Sequence, residues 1–228
     1  MSNSSLCLAL ATLPLLAQNN APAEIESLMR QLHARGQFNG SVLVAQQGKI
    51  LYRGSFGLAD ESSARMFNPD TASCLASLSK PFTALAIMML AEKHQLNYED
   101  RITKYFPELP VQLGEATIRQ LLNHTSGIPD YSSDLDVDHP GITTIEVLNT
   151  LRTVNKPIFP PGQKYAYSNT GYVLLGLMVE KISGKPLPAY LQDRIFAPLG
   201  MKTTFALTAG RQKPANTVDG YDDFGSPK

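Results

Sequence analysis

The sequence predicts a mixed α/β (α+β) protein in which an antiparallel sheet flanked by helices is joined to a mostly helical region. Two short runs rich in β-branched and aromatic residues, Ser41-Val42-Leu43-Val44-Ala45 and Ile50-Leu51-Tyr52-Arg53-Gly54, flank Gln46-Gln47-Gly48-Lys49 and read as a hairpin. From Ser77 onward apolar residues recur at helical spacing, with Pro- and Gly-rich connections between the segments. Two strands alone do not make a stable sheet. No later run clearly supplies more, so the strands that complete the sheet are expected beyond Lys228.

At the start of the chain, Leu6 to Leu16 resembles the apolar core of a secretory signal, with Ala17 or Ala23 able to follow a cleavage site. No lysine or arginine precedes this run, the first being Arg30, so the usual basic segment is missing and a disordered or mis-started N-terminus is the other reading. Residues 1–22 are assigned to a signal peptide and leader, which places the protein outside the cytoplasm, secreted or periplasmic. No other apolar run is long enough to span a bilayer.

Residues 23–76 are expected to hold an N-terminal helix and the first strands. Ile25, Leu28, Met29 and Leu32 lie at helical spacing in Ala23 to Arg35, and Gly36 is the stop. Residues 77–228 form the mostly helical region, with helices predicted over Ala84–Glu92, Ile118–Asn123, Thr144–Arg152, Tyr172–Ile182 and Leu187–Ile195. The polar, glycine-rich end from Val218 to Lys228 reads as a connecting loop.

A chain of 228 residues with 43% hydrophobic content can bury a core. Twenty basic residues balance twenty acidic ones, which argues against a nucleic-acid partner and for a small neutral or mixed-charge ligand. Cys7 falls in the leader, so after its removal Cys74 stands alone without an intrachain disulfide. A lone cysteine is expected to be a small buried hydrophobe.

The stretch Cys74-Leu75-Ala76-Ser77-Leu78-Ser79-Lys80-Pro81-Phe82-Thr83 opens an apolar helix. Residues three apart share a helical face, so Ser77 and Lys80 can bring hydroxyl and amine together. Unpaired N–H groups of the opening turn offer a place for an oxyanion, and Pro81 is tolerated there because the first turn does not need its N–H. A lysine desolvated by an apolar helix can accept the serine proton, giving an acyl-serine. Taken alone, the pair is better explained as an N-cap serine followed by an exposed lysine.

Lys164-Tyr165-Ala166-Tyr167-Ser168-Asn169-Thr170-Gly171-Tyr172 follows Pro160-Pro161-Gly162 and precedes another apolar helix. The Tyr167 phenol can relay a proton when ammonium groups stabilise its anion, and Asn169 offers a donor and an acceptor for a substrate amide. By itself this segment is equally a helix N-cap at Asn169 and a half-buried aromatic at Tyr167.

Together, and in this order, the two motifs resemble those of the penicillin-recognising serine hydrolases, the group of class C β-lactamases, D-alanyl-D-alanine carboxypeptidases and related esterases. The likeness extends through FNGSVLVAQQGKILYRGSFGLAD, ASLSKPFTA, LLNHTSGIPDY, PPGQKYAYSNTGYVLLGLMVEKISGKPL and IFAPLGMKTT, in family order. The resemblance implies a β-lactamase/transpeptidase-like fold with Ser77 as the acylated nucleophile, Lys80 and Tyr167 as its proton partners and Asn169 as the residue orienting the substrate amide. Which of Lys80 and Tyr167 acts as base stays open, since the two would titrate as a coupled pair. The resemblance implies no metal or organic cofactor. The substrate is a small molecule or peptide: a D-Ala-D-Ala peptide, a β-lactam, or a carboxylic or D-amino-acid ester.

The departure from the family is a third element, Lys-Thr-Gly or His-x-Gly, which follows the Tyr-x-Asn in the family and supplies the second oxyanion N–H. Nothing after Asn169 fits: Lys202-Thr203-Thr204 lacks the glycine, and His139-Pro140-Gly141 precedes Tyr167 and has a proline without an N–H. The chain is therefore expected to be C-terminally truncated and nearly inactive. A non-catalytic penicillin-binding-like sensor or pseudoenzyme, or an inactive gene fragment, is the rival reading.

His124 and Ser126 in Asn123-His124-Thr125-Ser126-Gly127 invite a Ser-His reading, but a nucleophile elbow needs Gly-x-Ser-x-Gly after a strand, so this segment reads as a structural landmark. Asp134, Asp136, Asp138 and His139 alternate as metal ligands do, without the glycine turn and closing glutamate of a calcium loop, and read as a solvated loop. Tyr131, Tyr165 and Tyr172 are candidates to line a cleft.

Overall fold

A computed structural model describes residues 20–135, 137, 139, 141–207 and 214–218. The described residues fall into two compact units: those up to Cys74 together with 214–218, and those between Leu75 and Lys213. The leader assigned to residues 1–22 lies almost wholly outside the described residues.

In the first unit, helix α1 (Ala21–Ala34) carries a proline in its first turn and is followed by Gly36 in the left-handed region at φ 68°. Ile25, Met29 and Leu32 pack on Tyr52 and Phe56, whereas Leu28 is turned out of this cluster. Strands β1 (Gly40–Gln46) and β2 (Lys49–Phe56) pair antiparallel from Gly40 opposite Phe56 to Gln46 opposite Lys49, with an irregularity between Val44 and Ala45. Gln47 and Gly48 both have positive φ, 49° and 77°, the twist that matches a tight hairpin. Strands β3 (Leu58–Asp60) and β4 (Arg65–Met66) form a second antiparallel pair. Thr217 bridges Ala72, and the Arg65 guanidinium donates to the Thr217 carbonyl at 2.9 Å, which ties residues 214–218 to this unit. Among the described residues both sheets have two strands.

The second unit is helical. A 3₁₀ turn (Ala76–Ser79) runs into α2 (Lys80–Glu92), and a second 3₁₀ turn (Ile102–Lys104) precedes α3 (Val111–Gly114). Helices α4 (Ile118–Leu122) and α5 (Thr144–Leu151) each start with a complete capping box, Thr117 with Gln120 and Thr143 with Glu146. Helix α6 (Asn169–Ser183) is capped by Ser168 and ends at Gly184 in the left-handed conformation. Helix α7 (Leu187–Leu191) passes into a π-helical turn (Gln192–Phe196). Leu174, Leu175 and Met178 of α6 are fully buried against Ile87 and Leu90 of α2 and Leu121 of α4 in one cluster, so α6 forms the axis of this unit.

Three sequence expectations change. The helix expected to run through Ile195 breaks into α and π segments, because the widened turn puts the consecutive Ile195 and Phe196 into the core and leaves residues 192–194 outside. Ser168, rather than Asn169, is the N-cap of α6. Cys74 is exposed rather than buried, since it lies in an extended lead-in whose neighbours Ser73 and Leu75 are exposed too.

Candidate active site

In a 3₁₀ turn residues three apart eclipse one another, closer than on an α-helix. The turn over Ala76–Ser79 therefore stacks Ser77 and Lys80, and the Lys80 Nζ donates to Ser77 Oγ at 3.0 Å. Ala76, immediately before the serine, has φ 44°, a left-handed conformation that is costly for a residue with a Cβ and is the kind of local strain held at functional sites.

The start of α6 closes the group from the other side. Tyr167 OH lies 2.5 Å from Ser77 Oγ, and Asn169 Oδ1 accepts from Lys80 Nζ at 2.8 Å. Lys80 Nζ also lies 4.7 Å from the centre of the Tyr167 ring and 5.6 Å from that of Tyr172, within cation–π range. The structure thus brings Ser77, Lys80, Tyr167 and Asn169 into one hydrogen-bonded group. Burial acts to raise the Tyr167 phenol, but hydrogen bonds to Lys80 and Ser77 and the charge of Lys80 outweigh it and hold the phenol below its ordinary value.

Two residues of the LLNHTSGIPDY segment, which the sequence reads only as a landmark, set this arrangement. Buried Asp130 uses one oxygen for the main-chain N–H groups of Asn169 and Thr170 and the other for the amide and hydroxyl of Ser132. A carboxylate here meets the unpaired amides and the dipole of the α6 N-terminus. Burial pushes the Asp130 carboxyl up, and the bonds from Ser132, Asn169 and Thr170 overcome that to hold it below its usual range. Thr170 Oγ1 in turn accepts from the Tyr131 amide at 2.8 Å. No spacing rule pairs Asp130 with a helix start so far along the chain, so only the fold reveals it.

His124 is the second. Its Nδ1 accepts from the Ser168 amide at 3.1 Å and its ring lies 4.6 Å from that of Tyr167. It makes no pair with Ser126, whose buried hydroxyl accepts from the Ile128 amide.

Asp134 accepts from the Asp130 amide at 2.8 Å, and His139 lies 3.8 Å from Glu146, while Asp136 and Asp138 are outside the described residues. Among the described residues no group of three or more His, Cys, Asp or Glu is placed to hold a metal ion. A cleft of about 270 Å³ beside Lys80 and Asn169 is lined by Thr83, Tyr131, Tyr172 and Glu180. Tyr165 does not line it and is largely exposed.

The Ser77 hydroxyl thus lies between Lys80, three residues on, and Tyr167, at the head of a second helix. The chain belongs to the β-lactamase family, whose model matches residues 25–227, and so to the β-lactamase/transpeptidase-like superfamily of serine hydrolases. It is 40% identical over 191 residues to a penicillin-binding protein of Bacillus subtilis (strain 168), a match covering 82% of this chain and 42% of that protein. The octameric penicillin-binding protein homologue of Pyrococcus abyssi superposes with a TM-score of 0.77 at 30% identity, over 90% of this chain and 49% of the other. The D-amino acid amidase of Ochrobactrum anthropi SV3, complexed with L-phenylalanine amide, superposes with a TM-score of 0.72 at 30% identity, over 87% of this chain and 57% of the other. The chain thus spans less than half the length of the curated relative, and its fold is that of the penicillin-binding proteins and β-lactamases.

Proposed function

We propose that this chain carries the acylating machinery of a serine hydrolase acting on amides or esters. The observation that supports it most is that Ser77 Oγ has two proton partners at once, Tyr167 OH at 2.5 Å and Lys80 Nζ at 3.0 Å. Ser77 Oγ attacks the substrate carbonyl carbon as its proton passes to the Lys80/Tyr167 pair. The C–N or C–O bond then breaks, the leaving amine or alcohol takes a proton from that pair, and water releases the acid and restores the serine. Lys80 occupies Asn169 Oδ1, and the Asn169 amide nitrogen, which donates one proton to Asp130 Oδ1 at 3.5 Å, has its second proton for a substrate carbonyl.

Small esters, β-lactams and D-Ala-D-Ala peptides are the substrate classes. The reading extends to secretion or a periplasmic location through the leader in residues 1–22; no helix among the described residues is long and apolar enough to cross a membrane. Intact-mass measurement after incubation with a fluorescent penicillin, a p-nitrophenyl ester and a D-Ala-D-Ala peptide tests the reading. An adduct on Ser77 that is absent in Ser77→Ala is the expected result; no adduct with any of the three, or one surviving the substitution, overturns it.

A second reading is a penicillin-binding-like sensor that is acylated at Ser77 and not turned over. Stoichiometric labelling without released acid favours the sensor, and steady release at a rate abolished by Ser77→Ala favours the enzyme. Absence of cooperative thermal unfolding would instead mark an inactive fragment.

A further inference from the structure

Helix α4 ends in a complete Schellman motif: the Thr125 amide donates to the Gln120 carbonyl at 2.8 Å and the His124 amide to the Leu121 carbonyl at 3.3 Å. The residue in the left-handed position of that motif is usually glycine, yet here it is His124, at φ 60°. The conformation is costly for a side chain, so the imidazole is the feature to explain.

That conformation lets His124 reach the Tyr167 segment with both its main chain and its ring. Its carbonyl accepts from the Ala166 amide at 2.9 Å and its Nδ1 from the Ser168 amide at 3.1 Å, so the main-chain N–H groups of the residues before and after Tyr167 are tied to one residue. The two rings are tilted by 32° at 4.6 Å. Tyr165 meets the imidazole edge-on at 5.9 Å, and Tyr172 lies at 5.3 Å.

We propose that neutral His124 is the positioning residue that holds the Tyr167 phenol against Ser77, and that protonation of its ring releases that hold. An Nδ1 that accepts from Ser168 carries no proton, so the ring is the Nε2–H tautomer. Adding a proton turns the acceptor into a donor facing another donor and places a second cation near Lys80. The groups facing the imidazole are Lys80 from α2, Asp130 from the loop after α4, Tyr165 and Tyr167 from the segment before α6, and Tyr172 from α6 itself. Burial first, and then the charge of Lys80, hold the imidazole below its ordinary range against the pull of Asp130, so the neutral form prevails at neutral pH.

The inference rests on the hydrolase reading only for its consequence in catalysis. Two variants separate positioning from folding. His124→Asn keeps an acceptor near the Nδ1 position and tolerates the left-handed backbone. His124→Gly suits the Schellman position, so its unfolding temperature should stay within about 4 °C of the parent, yet it removes the acceptor and the ring. Imidazole ¹⁵N and tyrosine ring ¹³C NMR are followed with pH on the whole chain, alongside the rate of Ser77 labelling by a fluorescent penicillin. The expected result is an Nε2–H tautomer at neutral pH, Ser168 amide and Tyr167 ring signals that move in the same acid step as His124, and no such step in His124→Asn. Labelling should fall on the order of 100-fold in His124→Gly and stay within about 3-fold in His124→Asn. An Nδ1–H tautomer, or Tyr167 signals indifferent to His124 protonation, overturns the inference. A parent chain that shows the coupled titration without labelling upholds the positioning and defeats the hydrolase reading instead.

Discussion

The carboxylate of Asp130 accepts the main-chain N–H of Asn169, the first residue of α6, and so places the asparagine whose side chain holds Lys80. Replacing it leaves the amides of buried Thr170 and half-buried Asn169 without their partner, and also that of exposed Ser132. Asp130→Ala should therefore cost about 2 kcal/mol, a fall of roughly 4–8 °C in unfolding temperature for a chain of this size. Its effect depends on pH. The carboxyl is held below its usual range in the folded state, so its stabilisation is present above the ordinary carboxylate value and lost as pH falls through the lower folded value. Parent and variant melting curves should converge in acid, and a constant gap down to low pH would contradict the assignment.

Removing the Tyr167 hydroxyl deletes one of the two proton partners of Ser77 and leaves Lys80 in place. Tyr167→Phe should slow Ser77 acylation by about 100- to 10,000-fold. The phenol is held below its ordinary value, so the parent rate should rise with pH before a free tyrosine would ionise. A Tyr167→Phe profile that keeps this rise would assign it to another group.

Asn169→Ala should act differently, because it removes the acceptor of Lys80 and the proposed donor to substrate together. Loss in labelling efficiency is expected for amide-bearing β-lactams more than for a plain p-nitrophenyl ester, which has no amide to orient. Rates measured with both probes decide this, and an equal loss would confine Asn169 to holding Lys80.

Gly127, at φ 70°, is the test of the His124–Gly127 segment as a structural landmark. A Cβ there would sit 2.1 Å from the Phe159 carbonyl oxygen, a main-chain atom, and the Gly127 carbonyl accepts the Ile158 amide at 2.9 Å. Gly127→Ala should destabilise by about 2 kcal/mol or more, read as a drop in unfolding temperature, through both the conformation and the clash.

In the first unit, Tyr52 hydrogen-bonds Glu26 of α1, and burial followed by the contact with Glu26 pushes its phenol up to about 12 from 10.0. Folding favours the neutral phenol, so this stabilisation is complete below pH 10 and lost as pH rises through about 12. Amide exchange in α1 should accelerate over that window in the parent, and Tyr52→Phe should remove the dependence.

The residues themselves determined much of this protein. The hairpin was legible in two β-branched runs around Gln47-Gly48, and the helices in their apolar spacing, because those elements answer to local geometry. Ser77 and Lys80 were legible as a pair because their separation of three residues is itself a distance. The sequence order of motifs also carried the family, which residues 25–227 match. Other features came only from the tertiary structure. Ser77 and Tyr167 are 90 residues apart, and their 2.5 Å contact exists because α2 and α6 pack through Ile87, Leu90, Leu174 and Met178. Asp130 and His124 fall in LLNHTSGIPDY, which the sequence marks only as a landmark. Their partners are main-chain amides, which every residue has and no motif marks, so only the folded chain shows which amides they bind.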